Sequence, residues 1–360
     1  MQSLLKISLE HIKSNWKSLN NASNGKAAAV IKANAYGMGM LKVAGALLDA
    51  GCYYFYVANI NEGIKLRRKY NSKKISIGVF EGYFEGYQKT YSEYNLIPVI
   101  NSLDQLFRIN NFVSDGNITK AILNIDTGMN RLGLNQKETS FLIENKDILN
   151  NVRWDYIMSH LANAQEEENE KNLVQLKKIQ IFSKNFPKIK LSFANTAGIK
   201  LGSKFLLDQT RPGIGLYGID NFGKNLNIDY NQTKLPIKLN APIIQIKNVK
   251  AGEAISYGGL DILKKDSILA TIGIGYADGW LRLFKENSIF SIGKEKCKIL
   301  GNITMDSIVI DITNIKKKKL KEGDYLCLLD NSNIYDVLKN SNIISYEFLT
   351  LMGERLLRKY

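Results

Sequence analysis

The chain is 360 residues long and 45% of them are hydrophobic, which is enough to bury one large domain and a smaller one. Its net charge of +15 comes mostly from lysines spread along the chain, without zinc-finger spacing or an RNA-binding aromatic motif, so we expect no nucleic-acid partner. Three scattered cysteines, no apolar leader and no membrane-length apolar stretch argue against a disulfide framework, a metal site and a membrane partner, and indicate a cytoplasmic protein.

Helix-like and strand-like segments alternate from the start of the chain. Residues 8–19 have a helical period, and from residue 27 onward short apolar runs predict strands near 27–31, 53–58, 74–79, 96–100, 119–125, 154–159, 189–193 and 205–210. Helical patterns between them include 41–50, 62–70, 103–110 and 167–184. Eight such units predict an α/β fold with a (β/α)8 TIM-like barrel, and a doubly wound open sheet is the alternative.

A mostly β C-terminal domain is predicted after the barrel. Short β-rich runs separated by glycine turns lie at 243–249, 267–272, 288–292, 296–300, 307–312 and 325–329, and a helix is predicted only at 346–357. Leu235-Pro236 and Ala241-Pro242 bracket the predicted linker. We therefore predict a barrel of residues 1–235 and a β domain of residues 236–360. Whether the first ten or so residues join the β domain is left open.

A single lysine, Lys32, ends the first predicted strand and precedes a turn of small residues, Ala33–Gly39. At the mouth of a buried strand, desolvation lowers the pKa of an amine and frees it as a nucleophile. A solvated lysine after an ordinary strand is the better explanation of this segment when it is taken alone. The polar residues after the other strands decide between the two interpretations.

Those polar residues lie at the carboxyl ends of strands, where barrel enzymes carry out their chemistry. They are Asp126–Arg131, Ser159-His160, Asn195-Thr196 and Arg211–Gly215. A lysine able to form a Schiff base, an arginine, a histidine and a phosphate cradle together indicate pyridoxal 5'-phosphate. The Thr196 hydroxyl and the N–H groups of Gly213 and Ile214 would form that cradle.

Each of these residues also has an ordinary structural explanation. His160 could be a satisfied structural histidine, Arg211 a salt-bridge partner, and Tyr257 one tyrosine among 18. Gly213–Gly218 matches the G-x-G-x-x-G pattern of dinucleotide sites, but the residues that follow it are typical of a loop rather than of the helix that such a site needs.

The chain resembles the alanine racemases, the fold-type III pyridoxal-phosphate enzymes, along nearly its whole length. The resemblance is most specific in five segments, whose order and spacing also match: Ala29–Gly39, Asp126–Gly133, Arg211–Gly218, Ser256–Gly258 and Gly273–Gly279.

The resemblance implies a head-to-tail homodimer that interconverts L- and D-alanine and supplies D-alanine for peptidoglycan. It implies that Lys32 carries the cofactor and is one catalytic base, and that Tyr257 of the partner subunit is the other. Two bases on opposite faces of Cα suffice for racemisation. His160 would hydrogen-bond to Tyr257, and Arg211 would orient His160 and contact the pyridine nitrogen.

Further residues take implied binding roles. Those for the cofactor are Tyr36, Asn195, Thr196, Gly213 and Ile214, and those for the substrate are Arg131, Met305 and Tyr276.

The chain departs from the family pattern at four positions. Asn124 stands where the family often has a carbamylated lysine, so a bound anion such as chloride would have to replace the carbamate. Met38 stands in place of a histidine and Thr304 in place of a cysteine. Glu354 falls about where a tyrosine often contacts the phosphate, and that tyrosine has no clear counterpart in this chain.

Three alternatives stay open. The nearest is a racemase of broader specificity, for serine or basic amino acids, decided by the pocket near Met305 and Tyr276. A non-catalytic pyridoxal-phosphate carrier would lack the β domain. A decarboxylase of the same barrel type would usually carry a cysteine at the second-subunit base, and the segment around Tyr257 has none.

Overall fold

A computed structural model describes residues 1–113, 120–218, 234–286, 288–292, 295–315, 320–338 and 343–360. These residues form two compact units, one of Glu10–Lys234 and the other of Met1–Leu9 with Leu235–Tyr360. No helix within the described ranges combines the length and the apolar character needed to cross a membrane.

The first strand, β1 (Leu4–Ile7), belongs to the second unit, and helix α1 (Leu9–Ala22) leads into the first. Seven parallel strands pair there in chain order: β2 (Ala29–Val30), β3 (Tyr54–Val57), β4 (Ser76–Val79), β5 (Ile97–Ile100), β6 (Lys120–Asn124), β7 (Arg153–Met158) and β8 (Lys190–Ser192). A doubly wound sheet would reverse its strand order at a switch point, and this sheet does not.

Helices alternate with these strands and cover them. They are α2 (Lys32–Tyr36), α3 (Met40–Asp49), α4 (Ile60–Lys69), α5 (Gln88–Glu93), α6 (Leu103–Val113), α7 (Gln136–Glu144), α8 (Glu170–Ser183) and α9 (Thr196–Lys200). The strands read as apolar runs because parallel strands are buried on both faces. Phe55, Ile77, Val99 and Ile122 are all fully buried.

The eighth predicted strand, at 205–210, is wrong. Leu207 has a φ of 48°, which interrupts any extended run. Instead, Ser203–Phe205 form a 3-10 helix, and single parallel bridges join Gln209 to Ser192 of β8 and Thr210 to Ala27 just before β2. The predicted α/β barrel is confirmed as a fold class, with seven regular strands.

The second unit is built on one eight-stranded, mostly antiparallel sheet. Besides β1, its strands are β9 (Ile237–Val249), β12 (Ser267–Ile272), β13 (Ile289–Ile292), β14 (Glu295–Leu300), β15 (Ile308–Asp311), β16 (Tyr325–Leu329) and β17 (Leu357–Lys359). A short hairpin, β10 (Ala254–Ile255) with β11 (Asp261–Ile262), lies apart from the sheet. Neighbouring strands of the large sheet follow the order β13-β14-β15-β12-β9-β1-β17, and β16 pairs with β9.

Two details of this unit differ from the prediction. Ala241-Pro242 does not end a linker but lies inside β9 and pairs with β16, because proline tolerates the extended conformation. Two short helices lie near the end of the chain, α10 (Ile334–Leu338) and α11 (Ser345–Thr350), so the helix predicted at 346–357 ends at Thr350. The residues Leu357–Lys359 instead form a strand that pairs in parallel with β1.

Candidate active site

Lys32 lies directly after β2, at the start of an uncommon left-handed turn. Ala33, Asn34, Ala35 and Tyr36 have φ values of 51°, 53°, 55° and 52°. Left-handed backbone costs L-residues roughly 1–2 kcal/mol each, so neighbouring bonds must hold this turn. Two of them are internal, because the N–H groups of Gly37 and Gly39 donate to the carbonyls of Ala33 and Asn34 at 2.9 Å.

The Lys32 amine is partly buried and has a lowered pKa. Desolvation is the main cause, and the positive charge of Arg131 adds to it, whereas Glu62 opposes the shift. The amine lies 6.0 Å from the centre of the Phe80 ring. A lowered pKa makes the neutral, proton-accepting amine more available at neutral pH.

Arg131 follows a turn that Asp126 fixes after β6. One carboxylate oxygen of Asp126 accepts the N–H groups of Gly128, Met129 and Asn130 at 2.8, 2.9 and 3.2 Å. The exposed guanidinium of Arg131 forms no hydrogen bond or ion pair with the residues that the structure describes. It is therefore free to bind an anionic group.

His160 follows β7 and is held as a neutral imidazole. Burial lowers its pKa from 6.5 to about 3, and the charges of Arg211, Arg131 and Lys32 act in the same direction. The amide nitrogen of Asn195 lies 3.4 Å from His160 Nε2. The His160 carbonyl accepts a hydrogen bond of 2.9 Å from Gln175, which ties the residue to α8.

Arg211 is buried, and its three nitrogen atoms differ in their hydrogen bonding. Its two terminal nitrogens donate to the Ser192 hydroxyl and the Ser159 carbonyl, both at 2.6 Å. Its Nε, in contrast, is buried with no hydrogen-bond partner among the described residues. Burial lowers the pKa of Arg211 to about 10, so the side chain stays charged at neutral pH. A buried donor without a partner is costly unless a ligand accepts from it.

A small polar cradle lies where the sequence predicts a phosphate site. The Thr196 hydroxyl accepts the N–H groups of Gly213 and Gly215 at 3.1 and 3.2 Å. A Cβ at Gly213 would lie 2.6 Å from the Tyr36 hydroxyl, so only glycine lets the two approach. Ile214 is buried and begins the 3-10 helix Ile214–Tyr217. Clustered N–H groups and hydroxyls of this kind suit a phosphate.

The other predicted site residues lie in the second unit. Tyr257 is 79% exposed and follows Ser256, whose φ is 62°. The side-chain amide of Asn302 donates a hydrogen bond of 2.8 Å to the Tyr257 carbonyl. Backbone hydrogen bonds from Tyr276 to Thr304 and from Ala277 to Met305, at 3.0 and 3.1 Å, bring Tyr276 and Met305 together.

The four departures from the family pattern have clear positions. The Asn124 amide donates to Asn101 at 2.8 Å inside the barrel, and Asn101 in turn donates to the Phe80 carbonyl at 3.0 Å. Met38 is fully buried, and Glu354 is exposed. The Thr304 hydroxyl donates to the Ser307 carbonyl at 2.8 Å.

Sequence reasoning missed Glu62, Asn101 and Gln175, which hold site residues from neighbouring elements. Glu62 is preceded by Asn59 in the pattern that begins a helix, and this pattern predicts only a cap. The G-x-G-x-x-G segment is described only up to Gly218, so the predicted loop after it lies outside the described residues.

The barrel residues fit pyridoxal phosphate. Lys32 offers an amine with a lowered pKa, the Arg211 Nε lacks a partner among the described residues, and the Thr196 cradle matches a phosphate. These are the three groups that such a cofactor needs: an attachment point, a contact for the ring nitrogen and an anion site.

Comparisons with known proteins agree along the whole chain. Family models for the alanine racemase N-terminal and C-terminal domains match residues 7–221 and 237–360. The alanine racemase of Rickettsia bellii (strain RML369-C) is 37% identical over 341 residues, covering 94% of this chain and 82% of the relative. That of Rickettsia canadensis (strain McKiel) is 36% identical over 362 residues, covering 99% of this chain and 98% of the relative.

Solved structures give the same picture. The crystal structure of alanine racemase from Bartonella henselae with covalently bound pyridoxal phosphate has a TM-score of 0.92 and 35% identity, over 100% of this chain and 99% of that one. An alanine racemase from Clostridium difficile 630 has a TM-score of 0.89 and 27% identity, and the match covers 99% of this chain and 95% of that one.

Proposed function

The chain belongs to the alanine racemase family, and from this premise we propose that it interconverts L- and D-alanine with pyridoxal 5'-phosphate as cofactor. One observation of its own site carries the proposal. Lys32 directly follows β2 and Thr196 follows β8, while Arg211, whose Nε has no partner among the described residues, comes after Gln209 and Thr210, which form single bridges beside β8 and β2. When bound, the cofactor supplies an electron sink that acidifies the Cα hydrogen of an amino acid.

Two bases then exchange the Cα proton, one on each face. Lys32 serves as one of them, because its lowered pKa favours the neutral amine that accepts a proton. Tyr257 serves as the other, as a side chain contributed by the partner subunit. His160 remains neutral near pH 7 and therefore offers Tyr257 a hydrogen bond without adding a charge.

The two arginines have different roles in this proposal. The Arg211 Nε donates to the pyridine nitrogen, and because a guanidinium keeps its proton, that nitrogen is not protonated as a carboxylic acid would protonate it. This limits side reactions such as transamination. Arg131, which has no anionic partner among the described residues, helps to bind the substrate carboxylate, whereas Met305 lies at the substrate pocket and Tyr276 lines its entrance.

We propose a homodimer with shared sites. Tyr257 has to reach the barrel of another copy, and it is accompanied by exposed apolar side chains that suit an interface. Leu260 and Ile262 are 67% and 63% exposed, and Met305 is 52% exposed. The family role of supplying D-alanine for peptidoglycan, and a cytoplasmic location, remain predictions.

The test follows D-alanine formation from L-alanine with a chiral assay, in parallel with L-serine and L-lysine. In wild type we expect alanine to be the best substrate. We expect Tyr257→Phe to slow exchange of the Cα proton with solvent far more from one enantiomer than from the other, and Lys32→Ala to abolish cofactor attachment and turnover. Equal losses in both directions for Tyr257→Phe would contradict the two bases, and turnover of serine or lysine alone would contradict the substrate.

A further inference from the structure

The left-handed turn after Lys32 is anchored from outside by one carboxylate. Glu62, on the first turn of α4, accepts the N–H of Asn34 at 3.2 Å with one oxygen. With its other oxygen it accepts the N–H of Ala58, just after β3, at 2.9 Å. One side chain therefore connects the turn, the end of the neighbouring strand and the start of a helix.

Glu62 departs from an ordinary helix cap. In a capping box, the third helical residue accepts the N–H of the N-cap residue. Here the Asn59 side chain accepts the Glu62 N–H at 3.0 Å, but the Glu62 carboxylate is directed to Ala58 and Asn34 instead. The Asn59 side chain therefore makes its half of a capping box, while the Glu62 carboxylate binds the N–H groups of Ala58 and Asn34 rather than that of Asn59.

Asn34 is the centre of the turn. Its side-chain oxygen accepts the N–H of Met40 at 2.9 Å, which begins α3, and its carbonyl accepts the N–H of Gly39. Its own N–H is the group that Glu62 binds. Asparagine is among the residues that tolerate left-handed backbone best, but the alanines and the tyrosine beside it do not. The turn thus depends on anchors at Asn34.

We propose that Glu62 is a positioning residue that holds the turn after Lys32 in its left-handed conformation, and so sets the positions of the Lys32 amine and the Tyr36 hydroxyl for the cofactor. This inference rests on the proposed function for the identity of the cofactor. The hydrogen bonds by which Glu62 holds the turn do not depend on that function. It predicts that Glu62 contributes to cofactor affinity without touching the cofactor.

The chain offers a matched control. Glu138 occupies the same third position of α7, where it completes a capping box with Asn135 and also accepts the N–H of Leu103 at 3.2 Å. Glu138→Gln removes a cap carboxylate and an interelement hydrogen bond, as Glu62→Gln does, but leaves the Lys32 turn intact.

The experiment compares Glu62→Gln, Glu62→Asp and Glu138→Gln with wild type in the full-length protein. It measures pyridoxal phosphate affinity by titrating cofactor-free protein, and amide hydrogen exchange over residues 33–39. An amide side chain has one acceptor oxygen and an aspartate is one methylene too short, so neither can hold both N–H groups. We expect both Glu62 variants to bind the cofactor about tenfold more weakly and to exchange faster, with Glu138→Gln unchanged.

The opposite outcomes are distinct. Unchanged cofactor affinity and unchanged amide exchange in Glu62→Gln would overturn the proposal. An equal loss of cofactor affinity in Glu138→Gln would also overturn it. A Glu62→Asp variant that behaves like wild type would overturn it as well, because a negative charge alone would then be enough to hold the turn. If wild type binds no pyridoxal phosphate, the proposed function fails, while the exchange rates over residues 33–39 still decide whether Glu62 holds the turn.

Discussion

Three cationic groups surround His160 in the barrel. Arg211, Arg131 and Lys32 all act to lower its pKa, in addition to burial. A neutral imidazole is the form that tolerates such neighbours, since a fourth positive charge there would be repelled. A phosphate and a substrate carboxylate would balance the same cations. The residues therefore form a site suited to anions, with a neutral hydrogen-bonding ring at its centre.

The depressed pKa of His160 makes one contribution to stability depend on pH. The unfolded chain binds the proton near pH 6.5 and the folded chain only near pH 3, so this contribution is complete above pH 6.5 and is lost as the pH falls towards about 3. We expect wild type to lose stability relative to His160→Gln across that window in urea unfolding. His11→Gln, the same substitution on α1, is the control. A constant difference between wild type and His160→Gln from pH 7 to pH 4 would contradict the shifted pKa.

The proposed site residues that directly follow strands are open to sequence reasoning, because the carboxyl ends of barrel strands meet at one face. Lys32, His160 and Thr196 are of this kind, whereas Arg211 comes after Thr210, which forms only a single bridge. Glu62 could not be predicted, since its second bond reaches 28 positions back along the chain to Asn34. A local pattern contains no information about such a partner.

At the level of elements, the segment Lys32–Tyr36 contradicts its own propensity. Its alanines favour a right-handed helix, yet the backbone is left-handed throughout Ala33–Tyr36. Tertiary hydrogen bonds outweigh the local preference there. The same limit explains the prediction at 205–210, where six residues of suitable composition do not form a strand because Leu207 turns the chain.

The sequence leaves open whether the first ten or so residues join the β domain, and in the structure β1 pairs in a sheet with later strands of the chain. It lies between β9 and β17. Its side chains Leu5 and Ile7 are 0% and 3% exposed. The sequence could not show this pairing, since short strands are compatible with many partners.

Loss of packing at β1 should therefore weaken the second unit. We expect Leu5→Ala to lower the free energy of unfolding by about 2–5 kcal/mol, the usual cost of a buried leucine. Hydrogen exchange should accelerate in β9 and β17 while β2–β8 keep their protection. Leu132→Ala, at a leucine that is 49% exposed, is the control. Faster exchange in the barrel strands instead would show that β1 supports the other unit.

At the level of the whole molecule, the residues that we propose as catalytic are divided between two units. Lys32, His160 and Arg211 belong to the barrel, and Tyr257 belongs to the β unit. If the β unit completes the site of another copy, each active site draws on two chains. Two inactive variants with lesions in different units can then restore activity when their subunits are mixed.

We therefore expect subunit exchange between Lys32→Ala and Tyr257→Phe to recover about one quarter of wild-type activity. About half of the random dimers are hybrids, and each hybrid has one intact site of two. Lys32→Ala mixed with Arg211→Ala is the control, because both lesions lie in the barrel and every site keeps one of them. Failure of the first mixture to exceed the second would show that each chain builds its own site.

The position of β1 has a consequence for synthesis on the ribosome. The partner strands of Leu4–Ile7 begin at Ile237 and Leu357, so β1 has no partner strand until the residues of β9 are made, and its second pairing waits for those of β17. The barrel residues can condense in the meantime, since domains generally fold as units during synthesis. Until Ile237 and the residues after it are made, Leu4–Ile7 are an unpaired strand, and both edges of this strand are paired only after Leu357–Lys359 have been made.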